Sequence, residues 1–140
     1  MLILDTDHLS ILDQNTVAAF NLGRRLAAVP PEEVAVTIIT YEEQMRGWLA
    51  YVAKANAPAR QIDAYQKLRQ FVEQFREIPL IDYDADAASQ LERLRLARVR
   101  IGTMDLKIAS ICIARGATLL TRNLSHFRQV PGLRAEDGSA

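Results

Sequence analysis

The sequence predicts an α/β fold, with a mostly parallel sheet of four to five strands and helices on both of its faces. Short, wholly apolar runs such as Leu2–Leu4 and residues 34–36 are typical of strands that are buried on both sides. A longer stretch with apolar residues at helical spacing follows each of these runs. This alternation indicates parallel strands that are connected by helices.

The elements can be assigned in order along the chain. Strands are expected at residues 2–4, 34–36, 78–81 and 117–120, with an additional edge strand at 131–133. Pro79 lacks a backbone donor, which places the third strand at a sheet edge. Helices are expected at residues 6–14, 16–28, 84–99 and 103–115, the last followed by Gly116, and a short one near His126. Two more are expected on either side of a turn at residues 56–58. The first of these begins at Thr37 or Thr40, and the second ends at residue 75. Residues 1–134 are expected to form one domain and residues 135–140 a flexible tail.

The composition is that of a folded domain and not of a disordered chain or a membrane protein. The 140 residues are 49% hydrophobic with a formal net charge of zero. The basic residues are fourteen Arg and three Lys, which favours anion recognition but equally fits a genomic preference for Arg. Cys112 is the only cysteine, so no internal disulfide can form. No apolar stretch approaches about 18 residues and no signal pattern opens the chain, so we expect a cytoplasmic protein without a membrane anchor.

Four polar side chains fall where strands end or helices begin. Asp5 follows the first strand directly, and Asn123 follows the fourth. Glu43 lies in the first turns of the helix after the second strand, and Asp105 in the first turn of the helix opening at Thr103. Ligands of open α/β sheets bind at the carboxyl ends of the strands, and we expect all four side chains to converge there.

Each of these residues also has a purely structural interpretation. Asp5 can serve as a helix cap, and Glu43 can form a Thr-x-x-Glu capping box with Thr40. Asp105 is favoured by the helix dipole alone, and an Asn such as Asn123 is common in turns. Helical periodicity alone does not decide between Glu43 and its neighbour Glu42.

Several carboxylates on one edge need a neutralising partner. Two of them about 5 Å apart repel by about 3 kcal/mol at an effective dielectric of 20. Their oxygens are the ligands that Mg²⁺ or Mn²⁺ prefers, whereas Cys112, His8 and His126 lack the spacing of a zinc site. A carboxylate-bound Mg²⁺ activates water and binds phosphate oxygens, which is the equipment of phosphodiester cleavage.

Four short motifs occur at these positions. They are Leu4-Asp5-Thr6-Asp7 with Leu9-Ser10 behind it, Thr40-Tyr41-Glu42-Glu43 followed by Gly47, Ile101-Gly102-Thr103-Met104-Asp105 followed by Ile108-Ala109, and Gly116-Ala117-Thr118-Leu119-Leu120-Thr121-Arg122-Asn123. In order and spacing they resemble the motifs of PIN-domain proteins of the VapC toxin type. The resemblance extends from residue 2 to about residue 133.

The resemblance implies a PIN-like three-layer fold and a Mg²⁺-dependent endoribonuclease that cleaves tRNA, rRNA or mRNA as the toxin of a toxin–antitoxin pair. It implies that Asp5, Glu43 and Asp105 are the metal-binding catalytic acids, and it selects Glu43 because Gly47 follows four residues later. It also implies a homodimer and a small cognate antitoxin that blocks the site.

The remaining site residues follow from the same resemblance. Asn123 stands where the family has a variable fourth acid, so it would hold a second metal weakly or through water, and the choice between one and two metals stays open. Thr6 and Thr121 would orient the carboxylates as second-layer hydroxyls. His126 stands where a further Asp often appears.

Basic and aromatic residues near the motifs have open roles. Lys107 and Arg122 are candidates for contacts with the scissile phosphate, and Arg98 and Arg100, with Arg93 and Arg95, for a wider RNA-binding edge or a solvated helix face. Trp48 and Tyr51 fit either a partner groove or the core. His8 and His126 are not expected to be catalytic bases, because a metal-bound water needs neither.

The sequence therefore favours a metal-dependent endoribonuclease. A non-catalytic binding module with a degenerate metal pocket is the alternative, and the uncharged Asn123 is the feature that favours it. A receiver-like phosphoacceptor domain is disfavoured, because no Asp follows the middle strand and no Lys follows the last one.

Overall fold

Five short strands form one parallel sheet through the centre of the molecule. In the computed structural model, which describes residues 1–140, they are β1 (Leu2–Leu4), β2 (Val34–Thr37), β3 (Leu80–Ile81), β4 (Thr118–Leu120) and β5 (Arg134–Glu136). Their order is β3-β2-β1-β4-β5, and every neighbouring pair is parallel. The α/β prediction is confirmed, and β3 lies at an edge as Pro79 requires.

Seven helices connect the strands. They are α1 (Thr6–Ile11), α2 (Val17–Ala27), α3 (Ile38–Lys54), α4 (Pro58–Gln74), α5 (Ala85–Leu96), α6 (Thr103–Arg115) and α7 (Leu124–Phe127), with a 3₁₀ turn at Pro31–Glu33. Helices α3 and α4 pack against each other, as do α5 and α6. The guanidinium of Arg115, at the end of α6, lies 3.6 Å from the carboxylate of Asp84, at the start of α5. These two helices are therefore antiparallel, and the loop at 97–102 lies at the same end as Asp105.

Apolar side chains on the two faces of the sheet form two separate clusters. Ile3 belongs to the cluster with Leu94 and Phe127, whereas Leu2 and Leu4 belong to the cluster that includes Leu9, Leu22 and Phe71. Alternate residues of β1 point to opposite faces, so both faces are covered by helices. The arrangement is the predicted three-layer fold. Cys112 is wholly buried in the first cluster, and burial raises the pKa of its thiol, as expected of a core cysteine.

Several element boundaries differ from the prediction. The N-cap of α1 is Asp5, and the helix ends at Ile11 instead of residue 14. The N-cap of α3 is Thr37, whose side chain accepts the amide N–H of Thr40 at 3.1 Å, so Thr40 lies inside the helix and the Thr40–Glu43 capping box is wrong. Helix α6, in contrast, begins at Thr103 as predicted, with Gly102 as its N-cap.

The C-terminal prediction is wrong in two respects. The last strand is Arg134–Glu136, paired with β4, and not residues 131–133. The following residues are also placed by contacts, because Ser139 is buried and the Gly138 amide donates to His8. Residues 135–140 are therefore part of the domain and not a flexible tail. No helix is long and apolar enough to span a membrane.

Candidate active site

Asp5 is held firmly at the carboxyl end of β1. Its backbone amide donates to the carbonyl of Leu120 on β4 at 2.9 Å. One carboxylate oxygen accepts the amide N–H of Thr6 at 2.9 Å, and the other accepts the hydroxyl of Thr121 at 2.7 Å. Only 7% of the residue is exposed. The capping and the functional interpretations therefore both apply, since Asp5 caps α1 and faces the sheet edge.

The charge of Asp5 is opposed by its surroundings. Burial raises the pKa of the Asp5 carboxyl, and the hydrogen bonds from Thr121 and Thr6 lower it by less. The negative charges of Asp7 and Asp105 raise it further. Asp105, a hundred positions away in the chain, is therefore close enough to repel Asp5.

Glu43, on α3, is affected by the charges of the same acids. Burial raises the pKa of its carboxyl, followed by the charges of Asp105 and Asp5 and then of Glu42. The Glu43 carboxylate makes no hydrogen bond or ion pair within the protein, whereas that of Glu42 pairs with Arg46 at 2.6 Å. Of these two neighbouring acids, Glu43 is thus the one without a partner.

Asp105 completes the acidic group from the first turn of α6. Burial raises the pKa of its carboxyl, the imidazole of His126 lowers it, and the charge of Asp7 raises it. Like Glu43, it makes no hydrogen bond or ion pair within the protein. The charge of Asp105 raises the pKa of both Asp5 and Glu43, and the charge of Asp5 raises that of Glu43. That the three side chains form one metal-binding site stays a prediction.

Two further residues lie at this edge that were not among the predicted metal ligands. Asp7 accepts the backbone amide of Arg122 at 2.9 Å, and its pKa is lowered by hydrogen bonds from His8 and Arg122 that outweigh its burial. His126 lies 3.1 Å from the Asn123 amide and acts on the charge of Asp105. The spacings Asp5-x-Asp7 and Asn123-x-x-His126 were visible in the sequence, but the residues they meet are distant in the chain.

The two predicted hydroxyls behave differently. Thr121 orients Asp5 as predicted, and its oxygen also accepts the amide of Asn123 at 3.0 Å. The buried hydroxyl of Thr6, in contrast, has no hydrogen-bond partner, so only the Thr6 backbone binds Asp5. Thr6 and Glu43 share an open groove of about 390 Å³ whose other lining residues are Gln44, Gly47, Trp48 and Tyr51.

The basic residues near this edge differ in exposure and in whether they already make hydrogen bonds. Arg122 donates its Nε to the hydroxyl of Ser139 at 3.1 Å, so part of its guanidinium is already engaged. Arg98 and Arg100 are exposed in the loop that precedes α6, at the end where Asp105 lies. Lys107 is half-buried two residues after Asp105, a spacing that puts the two side chains on different faces of α6.

The acidic edge fits a hard divalent cation by its donor chemistry. The donors are carboxylate oxygens, and Glu43 lines an open groove of about 390 Å³. No three Asp, Glu, His or Cys side chains are close enough together to form a ready-made metal cage. Mg²⁺ does not require one, because it keeps several waters and is usually held by one or two carboxylates and the substrate.

Fold and site together define a class, that of parallel α/β domains with a carboxylate-rich edge suited to a hard divalent metal. The family model described as "PIN domain" matches residues 2–133. The chain therefore belongs to the PIN domain family.

Two curated relatives are named "tRNA(fMet)-specific endonuclease VapC". The protein from Shigella flexneri is 38% identical over 66 residues, which are 44% of this chain and 50% of the relative. That from Salmonella typhimurium is 36% identical over 64 residues, 43% of this chain and 48% of the relative. The matched stretch thus spans about half the length of each relative.

Solved structures match over nearly the whole chain. VapBC2 from Rickettsia felis, bound to a DNA fragment from its promoter, has a TM-score of 0.72 at 25% identity and covers 97% of both chains. VapBC-1 from nontypeable Haemophilus influenzae has a TM-score of 0.78 at 19% identity, with 99% of this chain and 98% of that chain covered. The fold of this chain is that of these toxin–antitoxin structures.

Proposed function

We propose that this protein is a Mg²⁺-dependent endoribonuclease, the toxin of a toxin–antitoxin pair. The observation that carries the proposal is the group formed by Asp5, Glu43 and Asp105. Their charges repel one another, burial raises the pKa of each carboxyl, and no cationic side chain pairs with Glu43 or Asp105. Such a group becomes favourable when a divalent cation binds to it.

The residues have distinct roles in this proposal. Asp5, fixed by the Thr121 hydroxyl and the Thr6 amide, is the pre-oriented ligand. Glu43 and Asp105, without partners of their own, are free to turn towards the ion. Asn123 supplies no charge and would act weakly or through water. Bound Mg²⁺ or Mn²⁺ would supply a water of lowered pKa and stabilise negative charge on the phosphate.

Two features support RNA as the substrate. The curated relatives are named as tRNA endonucleases, although each matches over only half its length. The groove beside Glu43 carries Trp48 and Tyr51, and aromatic side chains stack with the bases of single-stranded RNA. Arg98, Arg100, Arg122 and Lys107 would contact the phosphates.

We also propose that the protein acts in the cytoplasm as a homodimer controlled by a small antitoxin. The similar solved structures are described as complexes of the VapBC type. Large apolar side chains are exposed here on α2, where Val17 is 77% and Phe20 65% exposed, and a partner would cover such surface. Light scattering of the purified chain tests the dimer.

The catalytic proposal is tested by Asp5→Asn. We expect the wild type to cleave purified tRNA in Mg²⁺ and not in EDTA, and the variant to be slower by about 100-fold or more, because a metal ligand is lost. Asp86→Asn is the matched control, since this exposed acid lies at the start of α5, at the other end of the α5–α6 pair. Equal rates for Asp5→Asn and wild type would refute the assigned mechanism.

The alternative function is a binding module that does not cleave RNA. The uncharged Asn123 and the lack of a ready-made three-ligand cage favour it. Titration of the wild type with Mn²⁺ separates the two functions. A module with a degenerate pocket would bind RNA without binding Mn²⁺, whereas the nuclease requires the metal.

A further inference from the structure

His8 connects the start of the chain to its end. It is the third residue of α1, its side chain is wholly buried, and both ring nitrogens are engaged. Nε2 accepts a hydrogen bond from the backbone amide of Gly138 at 3.0 Å and also lies 3.3 Å from a carboxylate oxygen of Asp137. Because an amide N–H can only donate, Nε2 is the acceptor in the contact with Gly138. In the neutral imidazole this acceptor role assigns the proton to Nδ1, which donates to the carboxylate of Asp7 at 2.8 Å.

Asp7 passes this connection to the loop after β4. Its second carboxylate oxygen accepts the backbone amide of Arg122 at 2.9 Å and lies 3.5 Å from the Thr121 hydroxyl. The same Thr121 hydroxyl donates to Asp5 at 2.7 Å. Two hydrogen bonds thus separate the His8 ring from the loop that orients Asp5.

The side chain of Arg122 links these hydrogen bonds back to the C-terminal segment. Its Nε donates to the hydroxyl of Ser139, and Ser139 follows Gly138, the residue bound to His8. Ser139 is itself held by Asp137, which accepts its amide at 2.9 Å and its hydroxyl at 2.6 Å. The hydrogen bonds thus form a closed network, which leads from His8 through Asp7, Arg122 and Ser139 to Gly138 and back to His8.

The C-terminal segment at 137–139 is seated closely against the core. A Cβ added to Gly138 would lie 3.1 Å from methyl carbons of both Leu120 and Leu22 and 3.5 Å from the His8 ring. Leu120 is the residue before Thr121, so the segment also packs against the end of β4. His8 and Ser139 are buried and hydrogen-bonded, and buried polar groups that have their partners make a rigid support.

We propose that His8 is a positioning residue of the acidic site, which joins Asp7 to the C-terminal residues Gly138 and Ser139 and so fixes the loop whose Thr121 hydroxyl orients Asp5. His8 does not touch substrate or metal in this proposal. It determines how well Asp5 is preorganised. The proposal rests on the proposed function, because the consequence of misplacing Asp5 is weaker metal binding and slower cleavage.

The test compares three substitutions of His8 in the full-length chain. Mn²⁺ affinity is measured from the electron paramagnetic resonance signal of the free ion, and tRNA cleavage is measured at saturating Mg²⁺. His8→Leu removes both hydrogen bonds and should weaken Mn²⁺ binding by about 10-fold and lower kcat with little change in KM. His8→Asn, whose amide nitrogen can replace Nδ1 and keep the bond to Asp7, should restore both only in part, because the contact with Gly138 is still missing.

A control variant distinguishes positioning from loss of stability. Leu94→Ala removes a buried side chain from the other hydrophobic cluster and should lower Tm without changing Mn²⁺ affinity. If His8→Leu does not fold, His8→Gln, which keeps only the Gly138 contact, decides the question through the same two measurements. Wild-type Mn²⁺ affinity in His8→Leu, or in His8→Gln if His8→Leu does not fold, would overturn the positioning role and leave the proposed function intact. Absence of Mn²⁺ binding by the wild type would instead refute the proposed function.

Discussion

No neighbouring group in the folded protein offsets the negative charge of the Glu43 carboxylate. It has no hydrogen bond or ion pair, and burial together with Asp105 and Asp5 raises its pKa. Glu43→Gln removes the repulsion and loses no hydrogen bond. We therefore expect this variant to be more stable than the wild type in EDTA by about 1 kcal/mol, or roughly 3 °C in Tm. Thermal unfolding followed by circular dichroism measures the difference.

Glu42→Gln is the matched control, because the neighbouring acid forms an ion pair with Arg46 one turn further along α3. Its loss should cost a few tenths of a kcal/mol, in the opposite direction. In Mg²⁺ the order should change, since Glu43→Gln has lost a ligand and should gain less stability from the ion than the wild type. A Glu43→Gln protein that is no more stable than the wild type in EDTA would show that the acid is not under repulsion.

A site residue could be predicted from the sequence only where its position relative to a strand or helix was enough to place it at the edge of the sheet. Asp5 and Asp105 follow from the geometry of parallel strands and helix starts. The choice of Glu43 over Glu42 needed a family motif, because helical periodicity gives a direction only to within a residue. The roles of Asp7 and His8 were missed because their partners Arg122 and Gly138 lie 115 and 130 residues away.

Helices α5 and α6 end in the same backbone conformation with different residues. Gly116 closes α6 at φ 60°, in the left-handed region that glycine adopts without strain. Arg98 follows α5 at φ 57°, where a side chain is strained. The predicted extension of α5 to residue 99 was wrong because nothing in the sequence marks Arg98 as a left-handed residue, whereas Gly116 marks the end of α6 correctly.

These two helix ends predict opposite mutational effects. Gly116→Ala should destabilise the protein by about 1 kcal/mol, through strain alone, because a Cβ there would meet no atom within 4 Å. Arg98→Gly should stabilise it by up to about 1 kcal/mol. Urea unfolding measures both changes.

The matched controls separate backbone strain from other effects of the same substitutions. Arg98→Ala removes the Arg side chain but keeps the strain, so it should not share the gain of Arg98→Gly. Gly23→Ala, inside α2 and also free of contacts, should stabilise by about 0.5–1 kcal/mol. Equal effects of Arg98→Gly and Arg98→Ala would assign the change to the side chain and not to φ.

At the scale of the whole molecule, the sheet was predictable and the end of the chain was not. Strands such as β1, in which every residue is apolar, indicate a sheet that is covered on both faces. The segment from Arg134 to Ala140 is polar and contains Gly138, which is typical of a frayed terminus. It is ordered by partners that composition cannot reveal, namely β4, the buried His8 ring and the Arg122 side chain.

The acidic edge should also govern how the stability of the whole molecule depends on pH. The pKa values of Asp5, Glu43 and Asp105 are raised in the folded state, so the folded protein holds these protons to higher pH than the unfolded chain. Their contribution to stability therefore falls as pH rises from about 4 through the raised values, and the deficit persists at neutral pH. Asp7, whose pKa is lowered, contributes in the opposite sense, and its contribution is lost only as pH falls through its lowered value.

Mg²⁺ should reverse this deficit only where the acids are ionised. At 100 times its dissociation constant a ligand of the folded state stabilises by about 2.7 kcal/mol. We expect a gain of this size at pH 7 and almost none at pH 4, where protons occupy the carboxylates. Thermal unfolding from pH 4 to 8, with Mg²⁺ and with EDTA, measures the gain, and Asp5→Asn should lose most of it. A gain from Mg²⁺ that is the same at pH 4 and pH 7, or that survives in Asp5→Asn, would place the binding of the ion elsewhere than on these three acids.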